Sequence, residues 1–293
     1  MENQIGFIGL GIMGAQMAAR LLDSRHSLVV HSRTKSRGSR LIARGAKFVD
    51  SPAEVARQCD IIFICVTDTP DVQAVVGGED GIATSVRSGM VVVDHSTISP
   101  AATREMADDL SKQGVYFLDA PVSGGDVGAR EGTLSIMVGG DQTAFDRVEP
   151  VMRAYGQTIT YCGPSGTGQL TKLVNQILVS VTNLAVCEAL IFAKKHRLDL
   201  EKTVAALAGG AGGSWQLTNL GPRMIAGDFR PGFTVNLQQK DLQLVMQAGE
   251  KSNTSLPAAS LAHQLFTAAQ AAGHGKDGTQ ALFTVVEKLA SLH

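Results

Sequence analysis

Over the first 162 residues, short apolar runs alternate with segments of helical period, the pattern of βαβ units on a parallel sheet. Strands are predicted at 5–8, 28–31, 47–49, 61–66, 90–94, 115–118, 134–138 and 158–161. Those at 61–66 and 90–94 are almost continuously apolar, as central parallel strands buried on both faces must be. Helix starts stand between them. Ser51-Pro52, Ser99-Pro100 and Asp141 each offer a capping side chain, two of them with proline at the first helical position. After Cys162 no β-rich run follows, and a turn cluster opens one long helix over about 169–194 that is apolar on most of its circumference. Such a helix is buried, either between domains or against another subunit. Further helices are expected at roughly 199–208, 214–226, 236–251, 257–272 and 279–290. The chain therefore reads as an α/β protein, with a parallel-sheet domain over 1–162 and an all-helical domain over 163–293.

Composition agrees with that division. The 293 residues are 44% apolar and 18% charged, enough for a sizeable core, and the 32 glycines follow no period and mark tight turns. Lys and Arg (26) nearly cancel Asp and Glu (27), so no field of one sign exists to hold nucleic acid by counterion release. Cys59, Cys65, Cys162 and Cys187 have neither disulfide nor metal-ligand spacing, which suits a reducing compartment and predicts no metal site. The start of the chain lacks a basic n-region, and Asn175, Gln176, Asn183 and Glu188 interrupt the longest apolar stretch. Neither a secretory signal nor a membrane span is expected, and the expected location is cytoplasmic.

Gly9-Leu10-Gly11-Ile12-Met13-Gly14 follows the first strand and opens a helix. In this context the spacing is that of a dinucleotide loop: the first glycine makes the tight turn, the second admits the pyrophosphate, and the third lets helix and strand approach. The end of the second strand selects the nucleotide. An acid there would bind the ribose 2′-hydroxyl, but the chain reads His31-Ser32-Arg33-Thr34. Arg33 supplies a cation for a 2′-phosphate, and Ser32 and Thr34 supply hydroxyls, so NADP(H) is predicted over NAD(H). A solvated basic turn is the other reading. Val66, at the end of the fourth strand, is a further expected cofactor contact.

Three segments carry the chemistry. The stretch from Asp119 to Thr133 is too glycine-rich and too long for a simple connector, and Ser123, Gly124 and Gly125 can offer a hydroxyl and bare N–H groups to a carboxylate. Lys172 and Asn175 stand three apart, hence on one helical face, in an otherwise apolar segment. A cation there can stabilise an alkoxide formed by hydride transfer to a carbonyl and supply its proton. Periodicity alone also allows a lysine whose head reaches solvent. The third segment, Lys240-Asp241-Leu242 after Phe233, reads by itself as a solvated helix start. Arg33, Lys172 and Lys240 stand as single cations, each expected to face one anionic group.

Together these motifs resemble the β-hydroxyacid dehydrogenase family: Phe7 to Gly14, Asp119 to Gly125, Gly168 with Lys172 and Asn175, and Lys240 to Leu242. The family includes 3-hydroxyisobutyrate dehydrogenases, tartronate semialdehyde (2-hydroxy-3-oxopropionate) reductases and glyoxylate/succinic semialdehyde reductases. The resemblance implies a Rossmann-type domain, a long inter-domain helix, an all-helical domain and a homodimer or homotetramer. It implies that Lys172 is the catalytic acid/base and that Asn175, Ser123, Gly124 and Gly125 hold the substrate. Thr97 would stand near both nicotinamide and substrate, Lys240 would reach the cofactor, and Phe233 and Asp241 would close the pocket. Asn175 departs from 6-phosphogluconate dehydrogenases, which carry His there, and Lys172 departs from imine reductases, which lack it. The expected activity interconverts a small carboxylate-bearing semialdehyde and its hydroxy acid, with 2-hydroxy-3-oxopropionate as first candidate. A non-catalytic NADP-binding module is the alternative of another class.

Overall fold

The computed structural model describes residues 4–291. They form two compact units that divide between Lys172 and Leu173.

The N-terminal unit is built on one sheet of nine strands: β1 (Ile5–Ile8), β2 (Leu28–His31), β3 (Lys47–Phe48), β4 (Ile61–Ile64), β5 (Val91–Asp94), β6 (Tyr116–Asp119), β7 (Val122–Ser123), β8 (Leu134–Gly139) and β9 (Gly156–Gly163). The order β3-β2-β1-β4-β5-β6 is parallel throughout, with Ile5 level with Leu28 on one side and Ile61 on the other. Beyond β6 the sheet turns mixed: β8 runs antiparallel to β6 and β7, and β9 pairs in parallel with β8. The continuous apolar runs are explained by two cores. Phe7, Val30, Phe63 and Val93 pack on one face against Met17 and Leu21, while Ile8, Val29, Ile62, Ile64 and Val92 pack on the other with Val55 and Val72. Alternate side chains of one strand serve opposite faces.

Helices α1 (Ile12–Asp23), α2 (Ser39–Ile42), α3 (Pro52–Gln58), α4 (Thr69–Gly77), α5 (Pro100–Ser111), α6 (Gly125–Glu131) and α7 (Gln142–Met152) connect the strands. The predicted caps hold: Ser51, Ser99 and Asp141 each accept the N–H three residues on. Two elements were hidden in what reads as loop. The stretch 119–133 contains β7 and α6, because Gly124 (φ +129°) and Gly125 (φ +66°) turn the chain from strand directly into helix. Only glycine adopts both conformations without strain.

Helix α8 (Thr167–Lys195) runs 29 residues, and α9 (Leu200–Leu207), α10 (Trp215–Asn219), α11 (Gly221–Ile225), α12 (Val235–Lys251), α13 (Pro257–Ala271) and α14 (Leu282–Leu289) complete the helical unit. Its core joins Cys187, Leu190 and Ile191 of α8 to Leu242, Phe266, Phe283 and Val286. The single helix expected at 214–226 is two, because Pro222 has no N–H to continue the ladder. The expected helix at 279–290 begins with a 3₁₀ turn, Thr279–Ala281. By length and composition α8 could cross a membrane, but its buried positions include Gln169, Lys172, Gln176, Ser180 and Asn183. Lipid would leave such groups unsatisfied, and Asn183 instead donates to the Thr279 carbonyl, as a core helix requires.

Candidate active site

In the N-terminal unit the three loop glycines do three different jobs. Gly9 sits at φ +97°, and a Cβ there would strike the Cys65 carbonyl oxygen and lie 2.9 Å from Val66 Cγ1. A Cβ on Gly14 would strike the Gly9 carbonyl and lie 3.1 Å from Phe7, so strand and helix touch at this point. A Cβ on Gly11 would meet nothing within 4 Å. Gly11 is also the N-cap of α1, which has no side-chain cap bond and no acid in its first turn. First-turn amides without a partner, beside space and away from negative charge, fit a pyrophosphate. Leu10 is buried and shapes the loop from below, whereas Ile12 is exposed and Met13 half-buried.

At the end of β2, His31 bonds the Val49 carbonyl through Nδ1 and Ser32 is buried. Thr34 and Arg33 are exposed, Arg33 with 82% of its side chain accessible. Arg33 is not a single cation, since its Nη1 lies 3.1 Å from Asp71 Oδ1 on α4. An ion pair so exposed is worth little and opens readily for a stronger anion.

Thr97 follows β5 in a tightly held segment. Asp94 Oδ1 accepts the Ser96 N–H, and Ser96 Oγ accepts the Val66 N–H, which ties the two expected cofactor-side positions together. His95 stacks on Phe63 with rings 5.5 Å apart and bridges the Ala120 carbonyl (2.7 Å) and the Tyr155 hydroxyl (2.8 Å). Burial pushes its pKa down to about 4, against the opposing pull of the Ala120 carbonyl. His95 is therefore neutral, donating from Nδ1 and accepting at Nε2.

Lys172 is 6% exposed. This burial runs against the solvated-lysine alternative that periodicity left open. Asn175, one turn on, is half-buried and donates to Gln176 Oε1 (2.8 Å). In the helical unit Gln176 donates in turn to Asp241 Oδ2, and Asp241 Oδ1 lies 2.9 Å from Lys240 Nζ. Asn175, Gln176, Asp241 and Lys240 are thus one chain of contacts, and Lys240 too has an anionic partner. Phe233 is half-buried, with its carbonyl accepting the Thr279 N–H. Sequence reasoning missed Asp119, Gln169 and Gln176 as individual residues, although all three lie in segments it singled out. For Gln169 and Gln176 the signal was polar residues at helical spacing in an apolar helix; Asp119, at the end of β6, gave none.

The same chain matches two family models in succession. Residues 4–163 match the NAD binding domain of 6-phosphogluconate dehydrogenase, and residues 166–286 match the NAD-binding domain of NADP-dependent 3-hydroxyisobutyrate dehydrogenase. The 2-hydroxy-3-oxopropionate reductase of Escherichia coli K12 is 42% identical over 288 residues, covering 98% of each chain. The chain belongs to the β-hydroxyacid dehydrogenase family. Two solved structures agree with that membership. A 3-hydroxyisobutyrate dehydrogenase from Salmonella typhimurium has a TM-score of 0.88 at 32% identity, with 97% of this chain and 99% of that one covered. Psf3, solved in complex with NADP+ and 2-OPP, has a TM-score of 0.90 at 27% identity, with 96% and 99% covered. This β-hydroxyacid dehydrogenase is accordingly an NAD(P)-dependent oxidoreductase with a parallel-dominated Rossmann-type domain followed by a helical one.

Proposed function

We propose that this β-hydroxyacid dehydrogenase uses NADP(H) to interconvert a small carboxylate-bearing semialdehyde and its hydroxy acid, with 2-hydroxy-3-oxopropionate as the preferred substrate. The observation that carries the proposal is the burial of Lys172. Held on an apolar helix, its ammonium offers a cation to the negative charge that hydride transfer develops on a carbonyl oxygen. The bound cofactor supplies the hydride. Lys172 Nζ stabilises the oxygen as charge develops and delivers its proton, and in the oxidative direction takes the hydroxyl proton back. Ser123, Gly124 and Gly125 bind the substrate carboxylate, the two glycines bringing backbone N–H groups close because no Cβ intervenes. Asn175 and Thr97 orient the hydroxyl end. Lys240 reaches the cofactor, while Phe233 and Asp241 shape the substrate pocket. Gly9 to Gly14 hold the pyrophosphate, with Val66 beside them. NADP(H) is favoured over NAD(H) by the absence of an acid at the end of β2 and by Arg33, which exchanges Asp71 for the 2′-phosphate. The Escherichia coli relative supports the choice of substrate and the Psf3 complex supports NADP.

Steady-state kinetics test the reading, with NADPH and NADH each offered 2-hydroxy-3-oxopropionate, glyoxylate and succinic semialdehyde, and with 3-hydroxyisobutyrate in the oxidative direction. The highest kcat/KM is expected with NADPH and 2-hydroxy-3-oxopropionate, with at least about a tenfold preference over NADH. Lys172→Ala is expected to lower kcat by about 10² to 10⁴ while NADPH affinity is kept. Full turnover in that variant, or a tenfold preference for NADH, refutes the corresponding part.

A further inference from the structure

Asp119 is the first residue of the substrate loop, yet its side chain turns the other way. Its carboxylate is fully buried, and each oxygen takes one backbone N–H from the start of α8: Gly166 to Oδ1 and Gln169 to Oδ2, both at 2.8 Å. The helix that carries Lys172 is thus capped by a strand residue 47 to 50 positions earlier in the chain. Charge-assisted bonds at a helix N-terminus are strong, and the carboxylate complements the dipole. Burial raises the Asp119 pKa, and the backbone N–H groups of Gly166 and Gln169 pull it back.

The side chain of Gln169 makes the second link. Its Nε2 donates to the Ser96 carbonyl at 2.8 Å and its Oε1 accepts the Ile98 N–H at 3.1 Å. These two groups flank Thr97. Gln169 itself is fully buried and stands one helical turn before Lys172. The seat is close enough to exclude side chains from both surfaces. A Cβ on Gly139 would lie 2.7 Å from Asp119 Oδ1 and 2.8 Å from the Gly168 nitrogen, and a Cβ on Gly168 would lie 2.6 Å from the Asp119 carbonyl. Three segments meet here within the N-terminal unit: the end of β5 with Thr97, the end of β6 where the substrate loop begins, and the first turn of α8.

We infer that Asp119 and Gln169 are positioning residues that fix the height and rotation of Lys172 relative to Thr97 and the substrate loop. The inference rests on the acid/base role proposed for Lys172. Neither residue touches substrate. Their effect is on geometry, and an error of about 1 Å in a reacting group can cost a factor on the order of 10² in rate.

The test compares Gln169→Met, near in volume but without the two bonds, Asp119→Asn, which can accept only one of the two N–H groups, and each combined with Lys172→Ala. NADPH binding is followed by fluorescence. Gln169→Met and Asp119→Asn are each expected to lower kcat by about 10- to 100-fold, with semialdehyde KM and NADPH Kd within about threefold of the parent. In the Lys172→Ala background the same changes are expected to alter residual turnover by less than about threefold, because residues that act through one group are not additive. Parental kcat in both single variants overturns the inference, as does an equal loss with or without the lysine. Loss of NADPH binding in both variants overturns it too, since the pair would then hold the cofactor domain rather than the lysine. Full turnover in Lys172→Ala alone instead removes the role assigned to the lysine, and the positioning role with it.

Discussion

At the scale of single residues, the most consequential facts are two buried polar side chains with opposite legibility. Lys172 stood out in the sequence as a cation in an apolar helix, and the structure buries it. His95 gave no such signal, since a histidine after a buried strand can be almost anything. In the fold it clamps Ala120, just after β6, to Tyr155, in the neutral form. Its pKa is pushed from 6.5 down to about 4, so between those values the unfolded chain binds more protons than the folded one. Stability is therefore expected to fall as pH drops from about 6.5 to about 4, by on the order of 3 kcal/mol in total from this group. Urea unfolding at pH 7 and pH 5 measures the slope, and His95→Gln should flatten it. An unchanged pH dependence in that variant would assign the acid sensitivity elsewhere.

Individual elements were legible where local chemistry determines them and obscure where glycine or tertiary bonds do. The parallel strands, the caps at Ser51, Ser99 and Asp141, and the phosphate loop all follow from short-range pattern. The β7–α6 segment did not, because its two left-handed glycines remove the usual signs of a strand end and a helix cap. The start of α8 was legible from its turn cluster, but its cap was not, since the cap comes from Asp119 on a distant strand. Within the glycine loop the roles proposed here separate stability from binding. Gly14→Ala drives a methyl into the Gly9 carbonyl and is expected to lower Tm by several degrees, on the order of 1 to 3 kcal/mol of overpacking. Gly11→Ala meets no protein atom and should leave Tm within about 1 °C, while weakening NADPH binding at least about tenfold by occupying the phosphate's approach. Differential scanning fluorimetry and NADPH titration distinguish the two, and equal effects in both assays would contradict the division of labour.

At the scale of the whole molecule, one surface calls for a partner. Leu178 is 64% exposed and Phe192 65%, and with Leu170 and Val174 they leave an apolar stripe along α8. A soluble monomer rarely keeps a contiguous apolar patch of that kind, so the homodimer or homotetramer implied by the family resemblance is expected to bury it. Light scattering after size exclusion should give a multiple of the monomer mass, and Leu178→Glu with Phe192→Glu should shift it toward the monomer. A monomeric parent chain would refute the expectation. Sequence by itself determined the class of fold, most of its strands and helices, and the glycine loop, lysine and glycines proposed for the chemistry, because periodicity, capping and backbone freedom act over a few residues. Tertiary structure alone decided that Lys172 is buried, that Arg33 is held by Asp71, and that Asp119 and Gln169 tie α8 to Thr97. Those contacts join residues far apart in the chain, and no local pattern records which distant partner a buried polar group will find.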